Sequence, residues 1–354
     1  MSTPNTKSYI IWNNNGGVGK STITFHIAST YANSHPEEDI VVIDMCPQAN
    51  VSMMLLGGSI KGEGIVQELI SLEEPKSVVG YITDSLIGSI KDHSEYLINV
   101  SKKNQNISDN LYLLSGDGNL ELIAPFISER ANMLPISAND KPWKKAHSII
   151  RNLTDKKINE GRKTVYFIDT NPSFSVYTQM AILAGDNLLI PINADDSSIF
   201  AIVGLFNLIY GSDAPHPVYG KYTFVHKVKE NEMLRPKIHL LLGNRLTQKI
   251  GAAKAFKALS EAANKKMYEE FKKDIKGEKF VDKNILILNE RIFCDEFAFE
   301  LRDFNSAGVV ASNLGIPLEK MVNLKYEVYG DSIQVAKDQS KACTETIKKL
   351  VNKL

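Results

Sequence analysis

Asn13-Asn14-Asn15-Gly16-Gly17-Val18-Gly19-Lys20-Ser21-Thr22 is the stretch of this chain richest in potential chemistry. Glycines at this density let the backbone curl until several N–H groups point at one spot. Lys20 adds a full positive charge there, the start of a helix adds a partial one, and the Ser21 hydroxyl is a ligand for Mg²⁺. The spacing predicts a site for a nucleoside triphosphate. The common form of such a loop has a glycine where this chain has Asn14, so the pattern is a variant one.

Two carboxylates can complete the site. Val41-Val42-Ile43-Asp44 and Val165-Tyr166-Phe167-Ile168-Asp169 each end an apolar run in an aspartate, and each is followed by a turn containing proline. A carboxylate at a strand end beside a phosphate loop can hold Mg²⁺ or orient an attacking water. A single aspartate there can also be a plain turn former. Ile238–Leu242 ends in Gly243-Asn244-Arg245, where the Asn244 amide can pair with an adenine edge.

These groups need elements to position them. Strands are expected at Tyr9–Trp12, Ile40–Ile43, Leu111–Leu114, Val165–Ile168, Leu188–Ile192, Ile238–Leu242 and Ile285–Leu288, with a helix from Ile23 to Ala32. Several runs are apolar at consecutive positions, as strands covered on both faces are. Helical stretches between them imply an α/β, doubly wound, mostly parallel sheet with helices on both faces and a ligand site at the strands' C-terminal ends.

A length of 354 residues suits one such domain, with residues 57–110 as an insertion or elaboration. Residues 211–236, rich in Pro, His and Tyr, are expected to break any helix. A last helix, from about Ser332 to Leu354, carries Ile347, Leu350, Val351 and Leu354 at helical spacing. Its short stripe without aromatic anchors favours docking on the domain over lying on a membrane. Formal net charge is zero, so nucleic-acid binding would need a local basic patch. Cys46, Cys294 and Cys343 build no disulfide framework or zinc spacing, and Met1–Lys7 lacks the apolar core of a secretion signal. A cytoplasmic location is expected.

The loop, the Ile43–Asn50 turn, Ile168-Asp169-Thr170-Asn171-Pro172-Ser173, Ala181–Asp186 and the Leu301–Phe304 and Ala307–Leu318 segments together resemble the ParA family. That family comprises P-loop ATPases with a deviant phosphate loop that position plasmids, chromosomes and other cargo. The resemblance implies an ATPase using ATP and Mg²⁺, with nucleotide contacts at Gly16, Gly17, Val18, Gly19, Lys20, Ser21 and Thr22, an ATP-dependent homodimer, a DNA or membrane track and a stimulating partner protein. By position it places Lys20 and Asp44 in catalysis, Ser21 and Asp169 at the metal, and Asn244 at adenine. Two residues depart from the family pattern. Asn15 stands where a lysine usually reaches into the partner subunit's phosphates. Cys46 stands where a second aspartate usually positions the attacking water, and an ordinary thiol is mostly neutral at pH 7. Slow hydrolysis and a weakened dimer are therefore expected.

From Arg245 to Lys283 there are 11 Lys/Arg against 6 Asp/Glu, with Phe256, Leu259, Ala263, Met267 and Phe271 on one helical face. Lys254, Lys257, Lys265, Lys266, Lys272 and Lys273 could then meet DNA phosphates without sequence preference. A solvated lysine face reads the same way. Two other readings stay open: a nucleotide-bound scaffold with little turnover, and a membrane-positioned regulator.

Overall fold

Strand interiors with no polar face fold only if both faces are covered. Each fully buried Val, Leu or Ile contributes about 1.5–3 kcal/mol. Fixing one residue's backbone costs about 1–2 kcal/mol. The computed structural model describes residues 5–354 apart from 91, 194–196, 212–214 and 247–249, with the backbone alone for 197, 245, 246 and 250–257.

The strands are β1 (Thr6–Ile11), β2 (Asp39–Met45), β3 (Ile98–Asn99), β4 (Leu111–Leu114), β5 (Thr164–Thr170), β6 (Asn187–Asn193), β7 (Lys237–Leu246) and β8 (Ala298–Arg302). They form an eight-stranded sheet in the order β3-β4-β2-β5-β1-β6-β7-β8. Only β3 runs antiparallel within it. The helices are α1 (Lys20–Ser34), α2 (Asn50–Leu55), α3 (Ser59–Ile70), α4 (Val78–Ile87), α5 (Leu120–Ala131), α6 (Pro142–His147), α7 (Ile149–Thr154), α8 (Val176–Ala184), α9 (Ser197–Ile209), α10 (Phe224–Glu230), α11 (Ile250–Lys273), α12 (Glu290–Phe297), α13 (Asn305–Leu314) and α14 (Lys337–Val351).

Alternate residues of the central strands enter two separate cores. Tyr9, Ile11, Ile40, Val42, Val165 and Phe167 pack with α1, α13 and α14. Ile10, Trp12, Val41, Ile43, Tyr166 and Ile168 pack with α4, α7, α8 and α9. This is the period-two division of a pleated sheet, and it makes the expected doubly wound layout. Helix α1 is buried nearly all round, with Ile23, Phe25, Ile27 and Ala28 fully enclosed. The apolar stripe of α14 (Cys343, Ile347, Leu350, Val351) lies in the same core, so the terminal helix is docked. No helix among the described residues is long and apolar enough to cross a membrane.

Three expectations are corrected. Ile285–Leu288 is not a strand: Ile285, Leu286 and Leu288 are 51%, 75% and 69% exposed. The chain there runs from Asn284, whose φ is +55°, to Asn289, whose Oδ1 accepts from Ile292 N and caps α12. The place beside β7 goes to β8, with Leu241 opposite Ala298 and Leu242 opposite Phe299. The terminal helix starts at Lys337 and not Ser332. Residues Asp331–Gln334 (β10) instead pair antiparallel with Lys325–Val328 (β9) around Tyr329-Gly330, both at positive φ, as a two-residue hairpin turn requires. Within 211–236 the chain does form a helix, α10, because Thr223 Oγ1 accepts from His226 N at its start. Residues 57–110 supply α3, α4 and the edge strand β3.

Candidate functional site

The C-terminal ends of β1, β2 and β5 lie side by side, since β5 pairs with both others. Everything that follows β1 at that edge is shaped by backbone geometry. Gly17 and Gly19 have φ of +70° and +83°, a region other residues enter only with strain. A Cβ on Gly19 would also collide with the Asn244 amide. Gly19 thereby ends the loop and starts α1, whose first N–H groups have no partner within the helix.

The loop is braced from three sides. Asn13 Nδ2 donates to Pro191 O (2.7 Å), and Asn13 Oδ1 accepts from Asn15 N (2.9 Å). Asn244 Nδ2 donates to Val18 O (2.9 Å). Lys20 Nζ donates to Asn13 O (3.1 Å) and Asn15 O (2.8 Å), capping the loop's own carbonyls. Burial pulls the Lys20 pKa below that of an ordinary lysine. Asn14 lies against α9 at Gly204.

Behind the loop sit the two aspartates, register partners on β2 and β5 and both fully buried. Asp169 accepts from Ser21 Oγ (2.7 Å) and Thr24 Oγ1 (3.1 Å). Asp44 accepts from Cys46 N (3.1 Å), Ser52 N (3.0 Å) and Ser52 Oγ (2.7 Å), and Ser52 Oγ accepts in turn from Gly116 N (2.8 Å). Burial raises the pKa of both carboxyls, and the nearness of Asp44 adds to the rise at Asp169. Lys20 opposes the rise at Asp169, and a cation bound nearby would oppose it further.

Two clefts open over this edge. One of about 550 Å³ is lined by Gly16–Thr22, Cys46, Pro47, Gln48, Asn50, Met54, Glu121 and Thr170–Ser173. A second of about 530 Å³ is lined by Asn244, Asp303, Phe304, Asn305 and the exposed face of α13. Both include Gly19 and Thr22. The two are of similar size; the first carries Lys20 and the glycine loop, the donors a polyphosphate needs, and the second is lined without lysine or arginine.

The sequence-derived residues fall as follows. Gly16, Gly17, Val18, Gly19, Lys20, Ser21 and Thr22 line the first cleft, with Asp169 directly behind Ser21. Asn244 borders the second cleft while its amide ties β7 to the loop. Asp44, placed in catalysis by the resemblance, is not among the residues lining the cleft; its oxygens brace the turn that carries Cys46 and α2. Cys46 does line it, 6% exposed, with its thiol pushed up to about 12 by burial and by Asp44 and Asp169. The sequence reading passed over Thr24, Ser52 and Glu121. Thr24 follows Ser21 by three residues in a helix, so one face could have been inferred. Ser52 and Glu121 carry no local signal.

The AAA domain family model matches residues 6–212. The chain belongs to this AAA domain family. Solved ParA-type structures share the fold. The ATP complex of a Cyanothece McdA variant is 14% identical with a TM-score of 0.57, covering 99% of this chain and 98% of that one. A putative plasmid partition protein of Borrelia burgdorferi, bound to AMPPNP, is 16% identical with a TM-score of 0.53 over 99% and 100%. The pnob8 ParA is 17% identical with a TM-score of 0.52 over 98% of each chain. No curated protein matches the sequence.

Proposed function

We propose that this ParA-type protein is an ATP-driven switch that dimerises around Mg-ATP and positions DNA or another cargo. One observation carries the reading: Ser21, which lines the cleft along the glycine loop, is hydrogen-bonded to Asp169, 148 positions away and buried behind it, and a second cleft adjoins the first at Gly19 and Thr22. The triphosphate would lie along Gly16–Thr22, with Lys20 released from the carbonyls of Asn13 and Asn15 to meet it. The base would lie in the second cleft beside Asn244. The oxygen donors of Ser21 and the buried Asp169 suit Mg²⁺, a hard ion. When bound there, the ion would neutralise charge developing on the phosphates.

Asn15 and Cys46 set the tempo. A neutral amide at Asn15 cannot offset a partner's phosphate charge. A thiol held neutral at Cys46 cannot take a proton from water. Losing one such group typically lowers a rate by about 10²–10³. The direct test measures ATP affinity, phosphate release and gel-filtration mass for the parent, Asn15→Lys and Cys46→Asp. Both variants should turn over or dimerise better; a parent already matching both would refute the tempo argument. A parent that binds no Mg-ATP would refute the switch. The scaffold reading is favoured by the neutral Cys46 thiol and predicts bound ATP that outlasts the assay.

The DNA reading rests on α11. Ala263 and Met267 bury its apolar face, Lys265 and Lys272 are exposed, and Lys266 and Lys273 pair with Glu269 and Glu270. The side chains of Lys254 and Lys257 lie outside the described residues. Binding should require ATP, ignore sequence and weaken steeply with salt. A stimulating partner protein and a cytoplasmic location belong to the same reading.

A further inference from the structure

Hydrolysis needs a group that accepts a hydrogen bond, and then a proton, from the attacking water. At this cleft the obvious candidates are closed. Cys46 is a buried neutral thiol. The Asp44 oxygens are occupied by Cys46 and Ser52, and the Asp169 oxygens by Ser21 and Thr24. Neither aspartate lines the cleft.

Among the described residues, Glu121 is the one acidic side chain that does. It stands in the first turn of α5, after β4, the strand next to β2. Its side chain is exposed, and among the described residues no hydrogen bond or ion pair holds it. The Ser52–Gly116 hydrogen bond links the segment before α5 to the Asp44 turn, so the cleft wall bearing Glu121 and the wall bearing Cys46 are tied together.

We propose that Glu121 is a catalytic carboxylate of this protein, taking over at the cleft the water-activating task that Cys46 cannot perform. This rests on the ATPase reading above. In the step proposed, the water oxygen bonds to the γ-phosphorus as the bond from that phosphorus to the β–γ bridging oxygen breaks. The water's proton passes to the Glu121 carboxylate and on to the released phosphate, and the bond pair stays with ADP. A carboxylate in the first turn of a helix also interacts favourably with the helix dipole, so a purely structural role must be separable by the test.

The experiment uses the full chain with Mg-ATP. It measures binding of a fluorescent ATP analogue, phosphate release and melting temperature for the parent, Glu121→Gln, Cys46→Asp and the double variant. Glu121→Gln should keep the parent's nucleotide affinity within about twofold and its melting temperature, while turnover falls about 10²-fold. Adding Cys46→Asp to Glu121→Gln should restore turnover at least about tenfold. Glu121→Gln turnover within about threefold of the parent overturns the assignment. So does a loss of affinity or melting temperature that accounts for the slower rate. A parent that binds Mg-ATP but hydrolyses it no faster than Lys20→Ala overturns it too, leaving nucleotide binding intact. A parent that binds no Mg-ATP overturns the ATPase reading itself.

Discussion

Ser52→Ala removes one oxygen that does two things at full burial. The Ser52 hydroxyl donates to Asp44 and accepts from Gly116 N, and Ser52, Asp44 and the Gly116 segment are shut away from water. The variant leaves Gly116 N without its acceptor, at a cost of about 1–3 kcal/mol. It also strips one of three donors from the Asp44 carboxylate, a bond of about 1.5–3 kcal/mol when the acceptor is charged. The second part depends on pH. Asp44 has its pKa raised by burial, with Ser52 opposing the rise. Because the folded-state pKa lies above the unfolded one, the carboxyl favours folding at low pH and loses that contribution as pH rises through its folded pKa. Ser52→Ala pushes the folded pKa higher, so its penalty grows with pH. We expect a loss of about 1.5 kcal/mol at pH 5 and about 3 kcal/mol at pH 8, roughly one pKa unit of difference. For a chain of this length 3 kcal/mol lowers the melting temperature by about 4 °C. Urea unfolding at the two pH values reads this directly, and Ser52→Thr should keep most of the stability. Equal losses at both pH values, or losses below about 0.5 kcal/mol at each, would refute the account of the Asp44 brace.

Gly19→Ala forces a side chain to φ +83° and into the Asn244 amide; ATP affinity should fall at least about tenfold by titration, from about 1–3 kcal/mol of strain. Ser21→Ala should abolish the gain in ATP affinity that Mg²⁺ confers while leaving binding in a chelator within about threefold, and an unchanged Mg²⁺ gain would count against Ser21 as a ligand. His26, His147 and His239 are buried and have pKa values lowered by burial to about 3, 4 and 4. Their contribution to stability is present above the unfolded value near 6.5 and is lost as pH falls toward the folded values. The melting temperature should therefore drop steadily between about pH 6.5 and 4, and His147→Gln should flatten that drop.

Much of the site was legible because its signals are local. Lys20, Ser21 and the glycines stand within a few residues, and their dihedral needs show in residue type alone. Asp169 was readable as a carboxylate ending an apolar strand. The failures were where long-range pairing decided. Ile285–Leu288 has the composition of a strand, but β8, with its mixed Ala298–Arg302 sequence, occupies the place beside β7. Ser332 begins no helix because β9 was available to pair with it. For Asp44, placed in catalysis by the resemblance, the structure adds hydrogen bonds from Cys46 and Ser52 that no local pattern announces.

The sequence by itself determined a phosphate loop, two buried strands ending in carboxylates and a doubly wound sheet, because each follows from residue type and short-range periodicity. The resemblance to the ParA family, not residue type alone, marked Asn15 and Cys46 as departures in charge. Only the tertiary structure decided which carboxylate reaches the cleft. Burial closes Cys46, hydrogen bonds from Ser52 close Asp44, and α5 brings Glu121 to the cleft from 75 positions beyond Cys46. Side-chain accessibility is set by packing between distant segments, and no local pattern encodes it.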